Sequence, residues 1–311
     1  MERLPPASLH LLLCPLPSLR LSHPSTRAVP NRVNLFLIGV NKAGTSWLYA
    51  LLNKHPAIFM AEAKELYYFW SGSAAIAGID TEAAYHRHFP FESDHRYYGD
   101  ATVMYYRDPV VADRIRAYNP EARALAIVRD PIQRLLSQFR YHKQIGVLPE
   151  SATLAEALAK PGTRLLRDSH YEETLPPFAE RFGDRFTLVR LASGKADPEA
   201  LWTQLQDALD LPAVPLPDDA TAPANPTGSP AFRMLYRNIV PPVRKHAPGL
   251  YRWMLQSAAI HRTKQMLLRM LGTADKNALS PAMQGRLEEE FAPTYAYLAR
   301  EGLTAEPQPE A

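Results

Sequence analysis

The stretch Val33-Asn34-Leu35-Phe36-Leu37-Ile38-Gly39 constrains the fold more than any other part of the chain. A short, nearly continuous apolar run of this kind reads as a strand buried on both faces, which requires helices on both sides of a mostly parallel sheet. Beyond it the chain turns through Gly39-Val40-Asn41-Lys42-Ala43-Gly44-Thr45-Ser46 into a segment with Leu48, Leu51 and Leu52 at helical spacing. A helix is therefore predicted from near Gly44 to about Lys54. His55-Pro56 closes it, because the residue before a proline resists the α region.

The same alternation continues along the chain. Strands are predicted at Ile58-Phe59-Met60, near Tyr97 to Thr102, at Ala124 to Val128 and at Phe186 to Arg190. Helices are predicted from Pro109 to Tyr118, after Pro131, at Thr153 to Ala159, Ser169 to Phe182, Pro198 to Leu209, and from Ser280-Pro281 to about Arg300. Strands alternating with helices imply crossovers onto a parallel sheet, and so an α/β chain with a P-loop-like, three-layer fold. Leu211 to Pro230, rich in Pro, Ala, Asp and Thr, reads as a surface loop, and Phe232 to Met270 as amphipathic helices covering the core. One domain is expected over residues 31–303, with disordered tails at 1–30 and 304–311.

Bulk chemistry excludes several classes. Lys and Arg number 35 against 32 Asp and Glu, a net charge of +3 that does not suggest a dedicated nucleic-acid binder. Cys14 is the single cysteine, which excludes an intramolecular disulfide framework and a cysteine-based zinc site. The apolar run Leu9 to Cys14 is too short to span a bilayer. With no membrane span read from the sequence, a cytoplasmic location is expected; oligomeric state is not legible.

Two constellations carry chemistry. In the loop after the first strand, Gly39 and Gly44 have the spacing of a Walker-type phosphate loop, and Ser46 falls on that motif's last position. Glycines let successive N–H groups surround a phosphate at a helix N-terminus. Position 45 is Thr, however, and the lysine, Lys42, lies inside the loop, beside where a bond between a 5′-phosphate and a transferred group would sit. The plainer alternative is a glycine-flanked turn with a solvated lysine. The second constellation is Ile127-Val128-Arg129-Asp130-Pro131 through Ser137. Arg129 ends a buried strand at the edge where open α/β sheets place ligands. Ser137 lies about two helical turns further on, and a guanidinium with a hydroxyl makes a second phosphate site. Asp130 and Pro131 are the expected helix start. The plainer alternative pairs Arg129 with a core carboxylate.

Together these motifs resemble sulfotransferases that use 3′-phosphoadenosine 5′-phosphosulfate (PAPS), especially the heparan-sulfate-type and bacterial branch. Gly39 to Leu48 is similar to their 5′-phosphosulfate loop, Leu125 to Ser137 to their 3′-phosphate motif, and Leu279 to Leu298 to their closing helix. The resemblance implies PAPS as co-substrate, released as PAP. Lys42, Ala43, Gly44, Thr45, Ser46 and Trp47 would surround the 5′-phosphosulfate, and Arg129 and Ser137 would hold the 3′-phosphate. It also implies a small-molecule or carbohydrate acceptor and no metal.

Glu62-Ala63-Lys64-Glu65-Leu66-Tyr67-Tyr68-Phe69 is similar to the family segment in which a glutamate acts as base, and Glu65 matches that glutamate. An acceptor hydroxyl must lose a proton as it attacks sulfur, and a placed carboxylate can take it. Lys42 would neutralise charge on the leaving phosphate oxygen. An ordinary surface carboxylate is the alternative for Glu65, and Lys64 is a candidate substrate contact. Several positions depart from the family. Tyr67 stands at the usual aromatic–histidine detail, and Val103 replaces a proline after Gly99-Asp100-Ala101-Thr102. Asp100 is a candidate second acidic group or a cap. No glycine- and lysine-rich late loop is evident, and Arg233, Arg237, Arg244 and Lys245 are offered in its place. His170 and Tyr171 are cleft candidates. Two rival readings stand beside this one: a P-loop kinase or NTPase, and a catalytically inactive nucleotide- or glycan-binding protein on the same scaffold.

Overall fold

The computed structural model describes residues 31–71, 79–220 and 279–303, with scattered positions between 243 and 266. Both predicted tails, most of Phe232 to Met270 and the arginines and lysine offered there lie outside the described residues.

The five strands are β1 (Leu35–Gly39), β2 (Ile58–Met60), β3 (Tyr97–Asp100), β4 (Arg123–Val128) and β5 (Phe186–Arg190). They form one sheet in the order β2-β3-β1-β4-β5, and every pair is parallel. From β1 the chain moves outward to β2, returns to β3 beside β1, then crosses to β4 on the other side. The strand order thus reverses around β1 and β4, and in open α/β sheets ligands bind beyond the strand ends at such a point.

Strand alternation sorts the core into layers. Leu35 and Leu37 of β1, with Leu125 and Ile127 of β4, pack under α1 (Thr45–Leu52). Phe36 and Ile38, with Ala124, Ala126 and Val128, face the opposite side, where Val111 and Ile115 of a helix at Val110–Tyr118 cover them. A third cluster joins α4 (Pro131–Gln144; α2 being Glu82–His86 and α3 Val110–Tyr118) to α5 (Leu154–Ala159) and the C-terminal helical region. Helices on both faces of a parallel sheet give the expected three-layer, P-loop-like α/β fold.

Some predicted elements are divided. Ser169 to Phe182 is not one helix but a 3₁₀ turn followed by α6 (Tyr171–Thr174) and α7 (Pro176–Phe182). Pro176 and Pro177 lack the N–H groups that would continue α6, so the second helix starts anew at them. Two further helices, α8 (Leu191–Ala196) and α9 (Pro198–Ala208), follow β5. The closing segment is α10 (Pro281–Glu290) and α11 (Ala292–Arg300), divided at Phe291 where Pro293 removes a donor. The short helices α2 and α8 were not legible in the sequence.

Candidate active site

The loop between β1 and α1 has the backbone that a phosphate cradle needs. Gly44 precedes α1 with φ of 99°, and Lys42 also adopts a left-handed conformation at φ of 69°. A Cβ on Gly44 would lie 2.6 Å from Leu191 Cδ1, so both the conformation and the space demand glycine. No side chain caps α1, which leaves the first-turn N–H groups at Thr45 and Ser46 available to an anion. Thr45 is buried and Ser46 half-buried. The Trp47 indole is committed to structure: it donates to Ala220 O at 2.6 Å and packs closely against Gly194 of α8.

A polar network beneath the loop fixes its shape. Asn41 Oδ1 accepts from Tyr106 Oη at 2.6 Å and Arg134 Nη1 at 3.2 Å, while Asn41 Nδ2 donates to Gln138 Oε1 at 2.9 Å. Arg134, on α4, is fully buried and also donates to Ser169 Oγ and to Leu165 O. Asp168 closes the network, paired with Arg107 and Arg164. Motif reading missed Asn41, Arg107 and Arg134, because their partners lie far away in sequence.

Arg129 follows the last residue of β4, and Asp130 caps α4 by accepting from Gln133 N at 2.8 Å. Asp130 also accepts from Tyr295 Oη at 2.8 Å, so its carboxylate is used structurally. Among the described residues the Arg129 guanidinium forms no ion pair or hydrogen bond; the core carboxylate offered as its alternative partner is not found. Burial lowers its pKa, with Tyr171 and Asp130 opposing. Tyr171 Oη donates to Arg129 O at 2.9 Å, anchoring the backbone at that strand end. Ser137 is buried on α4. His170 is occupied by Glu172 at 2.9 Å and Glu290 at 3.2 Å.

Lys42 Nζ lies 3.9 Å from the Tyr141 ring centroid, a close cation–π contact. Tyr141 and Glu65 both act electrostatically on the Tyr67 phenol. Glu65 Oε2 is buried without a hydrogen-bond partner. Burial raises the Glu65 pKa; Tyr67, Lys64 and Arg107 oppose this, and Asp100 reinforces it. An ordinary surface carboxylate would show none of these features. Burial also depresses Lys64 to about 8, with its ammonium 5.4 Å from the Tyr49 ring centroid. Among the described residues Asp100 caps no helix; it is a fully buried acceptor at the end of β3. Despite Val103, the turn after it closes, with Tyr105 N donating to Thr102 O at 3.2 Å.

Comparison with known proteins bears on the family and the fold. A family model described as "Sulfotransferase domain" matches residues 32–211. The chain is 33% identical over 111 residues to the membrane-associated sulfotransferase kil1 of Dictyostelium discoideum, covering 36% of this chain and 23% of that protein. It is 31% identical over 103 residues to heparan sulfate glucosamine 3-O-sulfotransferase 5 of Mus musculus, covering 33% of this chain and 29% of the relative. The matches therefore span less than a third of the length of these curated relatives. A crystal structure of a sulfotransferase from Alicyclobacillus acidocaldarius shares the fold, with a TM-score of 0.54 and 23% identity over 75% of this chain and 99% of that one. Among the described residues no helix is long and apolar enough to cross a membrane.

Proposed function

The chain belongs to the sulfotransferase family, and on that footing we propose that it moves the sulfuryl group of PAPS to a hydroxyl or amine of a small-molecule or carbohydrate acceptor. The observation that carries the reading is the uncapped glycine loop at the start of α1, which holds Lys42, beside the adjacent strand end that carries Arg129.

The donor's 5′-phosphosulfate lies in the loop from Lys42 to Trp47, held by N–H groups at the start of α1 and by Thr45 and Ser46. Its 3′-phosphate takes Ser137 and Arg129, whose guanidinium has no carboxylate partner among the described residues. The acceptor oxygen attacks sulfur in line with the departing phosphate. An O–S bond forms, the S–O bond to the 5′-phosphate breaks, and the acceptor proton passes to Glu65. Lys42 and the first-turn N–H groups stabilise charge growing on the leaving oxygen. The products are PAP and a sulfated acceptor. A raised pKa suits Glu65 to this task, since a base works best near the operating pH.

The heparan-sulfate relative supports a carbohydrate acceptor, and the half-buried Tyr67, Tyr141 and Trp70 supply rings against which sugars can stack. The functional domain is taken as residues 31–303. A cytoplasmic setting is part of the same reading, and the single cysteine permits a reducing compartment.

The test is turnover of ³⁵S-labelled PAPS against a panel of oligosaccharide and phenolic acceptors. Glu65→Gln is expected to lower kcat by about 10²–10⁴-fold with PAP affinity unchanged. Wild-type turnover in that variant would remove Glu65 from the mechanism.

A further inference from the structure

The segment that carries Glu65 runs from Ala61 to Trp70 without helix or strand, yet its residues are gripped one after another. Leu66 N and Tyr67 N both donate to Thr102 Oγ1, at 3.1 and 3.2 Å. The Tyr68 ring stacks on Tyr85, with centroids 4.5 Å apart and planes 13° from parallel. Phe69 N donates to Tyr105 Oη at 3.2 Å.

The three gripping residues share one acceptor. Thr102 Oγ1 donates to Asp100 Oδ1 at 2.7 Å, and Tyr85 Oη and Tyr105 Oη donate to Asp100 Oδ2 at 3.0 and 3.1 Å. A hydroxyl has one proton to give and lone pairs to receive. Once Thr102 and Tyr105 have given their protons to Asp100, their oxygens can only accept, as the N–H groups of the Glu65 segment require. An ionised carboxylate has acceptor capacity for all three hydroxyls. An asparagine there has one carbonyl oxygen and an NH₂ that only donates, so at least one hydroxyl would have to turn around.

We propose that Asp100 is a positioning residue for sulfuryl transfer: by orienting the hydroxyls of Thr102, Tyr105 and Tyr85 it fixes the backbone that holds Glu65 against the acceptor. Asp100 touches neither donor nor acceptor. The proposal rests on the reading of Glu65 as base, and deepens it.

The experiment compares Asp100→Asn, Thr102→Val, Thr102→Ser, Tyr105→Phe and Glu65→Gln in the full chain. Three quantities are read: amide hydrogen exchange at Leu66, Tyr67 and Phe69, PAP release from PAPS with water as the acceptor, and PAP affinity by calorimetry. Asp100→Asn and Thr102→Val are expected to speed exchange at Leu66 and Tyr67. They are also expected to slow turnover by about 10²-fold, the cost of misplacing a reacting group by roughly 1 Å, with PAP affinity unchanged. Tyr105→Phe acts in the same direction at Phe69, and Thr102→Ser, which keeps the hydroxyl, stays near wild type. Should Asp100→Asn fail to fold, Thr102→Val and Tyr105→Phe decide. Wild-type turnover in Asp100→Asn or Thr102→Val, or a loss in Thr102→Ser as large as in Thr102→Val, overturns the proposal. Failure of the base reading is distinguishable: Glu65→Gln would then turn over PAPS normally, while amide exchange would still report whether Asp100 holds the segment.

Discussion

Among the described residues the buried Oε2 of Glu65 has no hydrogen-bond partner, and burial raises the pKa of the carboxyl. As a base it must be ionised, so kcat is expected to fall as pH drops through an acid limb above the ordinary carboxylate range. A pH–rate profile checks this, and Glu65→Gln removes the limb together with most of the activity. Asp100 has a separate signature in stability. Burial lifts it from 3.8 to about 6 against the hydroxyls of Thr102, Tyr85 and Tyr105. The folded chain therefore takes up a proton between those values, and this stabilising contribution, full below about pH 4, is lost as pH rises through about 6. Urea denaturation across that window is expected to show the slope in wild type and its loss in Asp100→Asn. Gly44→Ala places a Cβ in a left-handed conformation and against Leu191. The conformation alone costs about 1–2 kcal/mol, so both stability and PAP affinity are expected to drop.

Helix α4 serves the site on two sides. Its start, with Asp130 as cap, sets the exit of β4 beside Arg129; its next turn sends Arg134 under the phosphate loop. Arg134→Met would take away the donor to Leu165 O and one of the partners of Asn41 Oδ1 and Ser169 Oγ, which among the described residues keep only Tyr106 and Pro131 O. Each buried group left unsatisfied costs about 1–3 kcal/mol, so this variant is expected to be among the least stable, measured by urea denaturation at neutral pH. The start of α4 was legible because Asp130-Pro131 is a local signal. The strands were legible for the same reason: runs such as Leu35–Gly39 are buried on both faces and read as uninterrupted apolar stretches. The Arg134–Asn41 contact was not legible, since it joins residues 93 positions apart. Nor was the role of Asp100, which depends on Tyr85, a residue delivered by a helix too short to show a period. Phosphate-loop residues could be named from spacing alone because their chemistry resides in the local backbone. Arg107 and Tyr141 reach the site only through tertiary packing.

At the scale of the molecule, the sheet order β2-β3-β1-β4-β5 brings the glycine loop and Arg129 to the same edge, at the ends of adjacent strands. A donor with phosphates on both its 5′ and 3′ positions would span those two strand ends. If residues 31–303 form the functional domain, a chain trimmed to them is expected to bind PAP as tightly as the full chain, read by calorimetry on both. The most direct test of the account is the role of the 3′-phosphate. Calorimetric titration without magnesium compares PAP with ADP, in wild type and in Arg129→Ala. PAP is expected to bind more tightly than ADP, and Arg129→Ala to abolish the difference. Equal affinity for PAP and ADP in the wild type, or binding that requires ATP with magnesium, would contradict this.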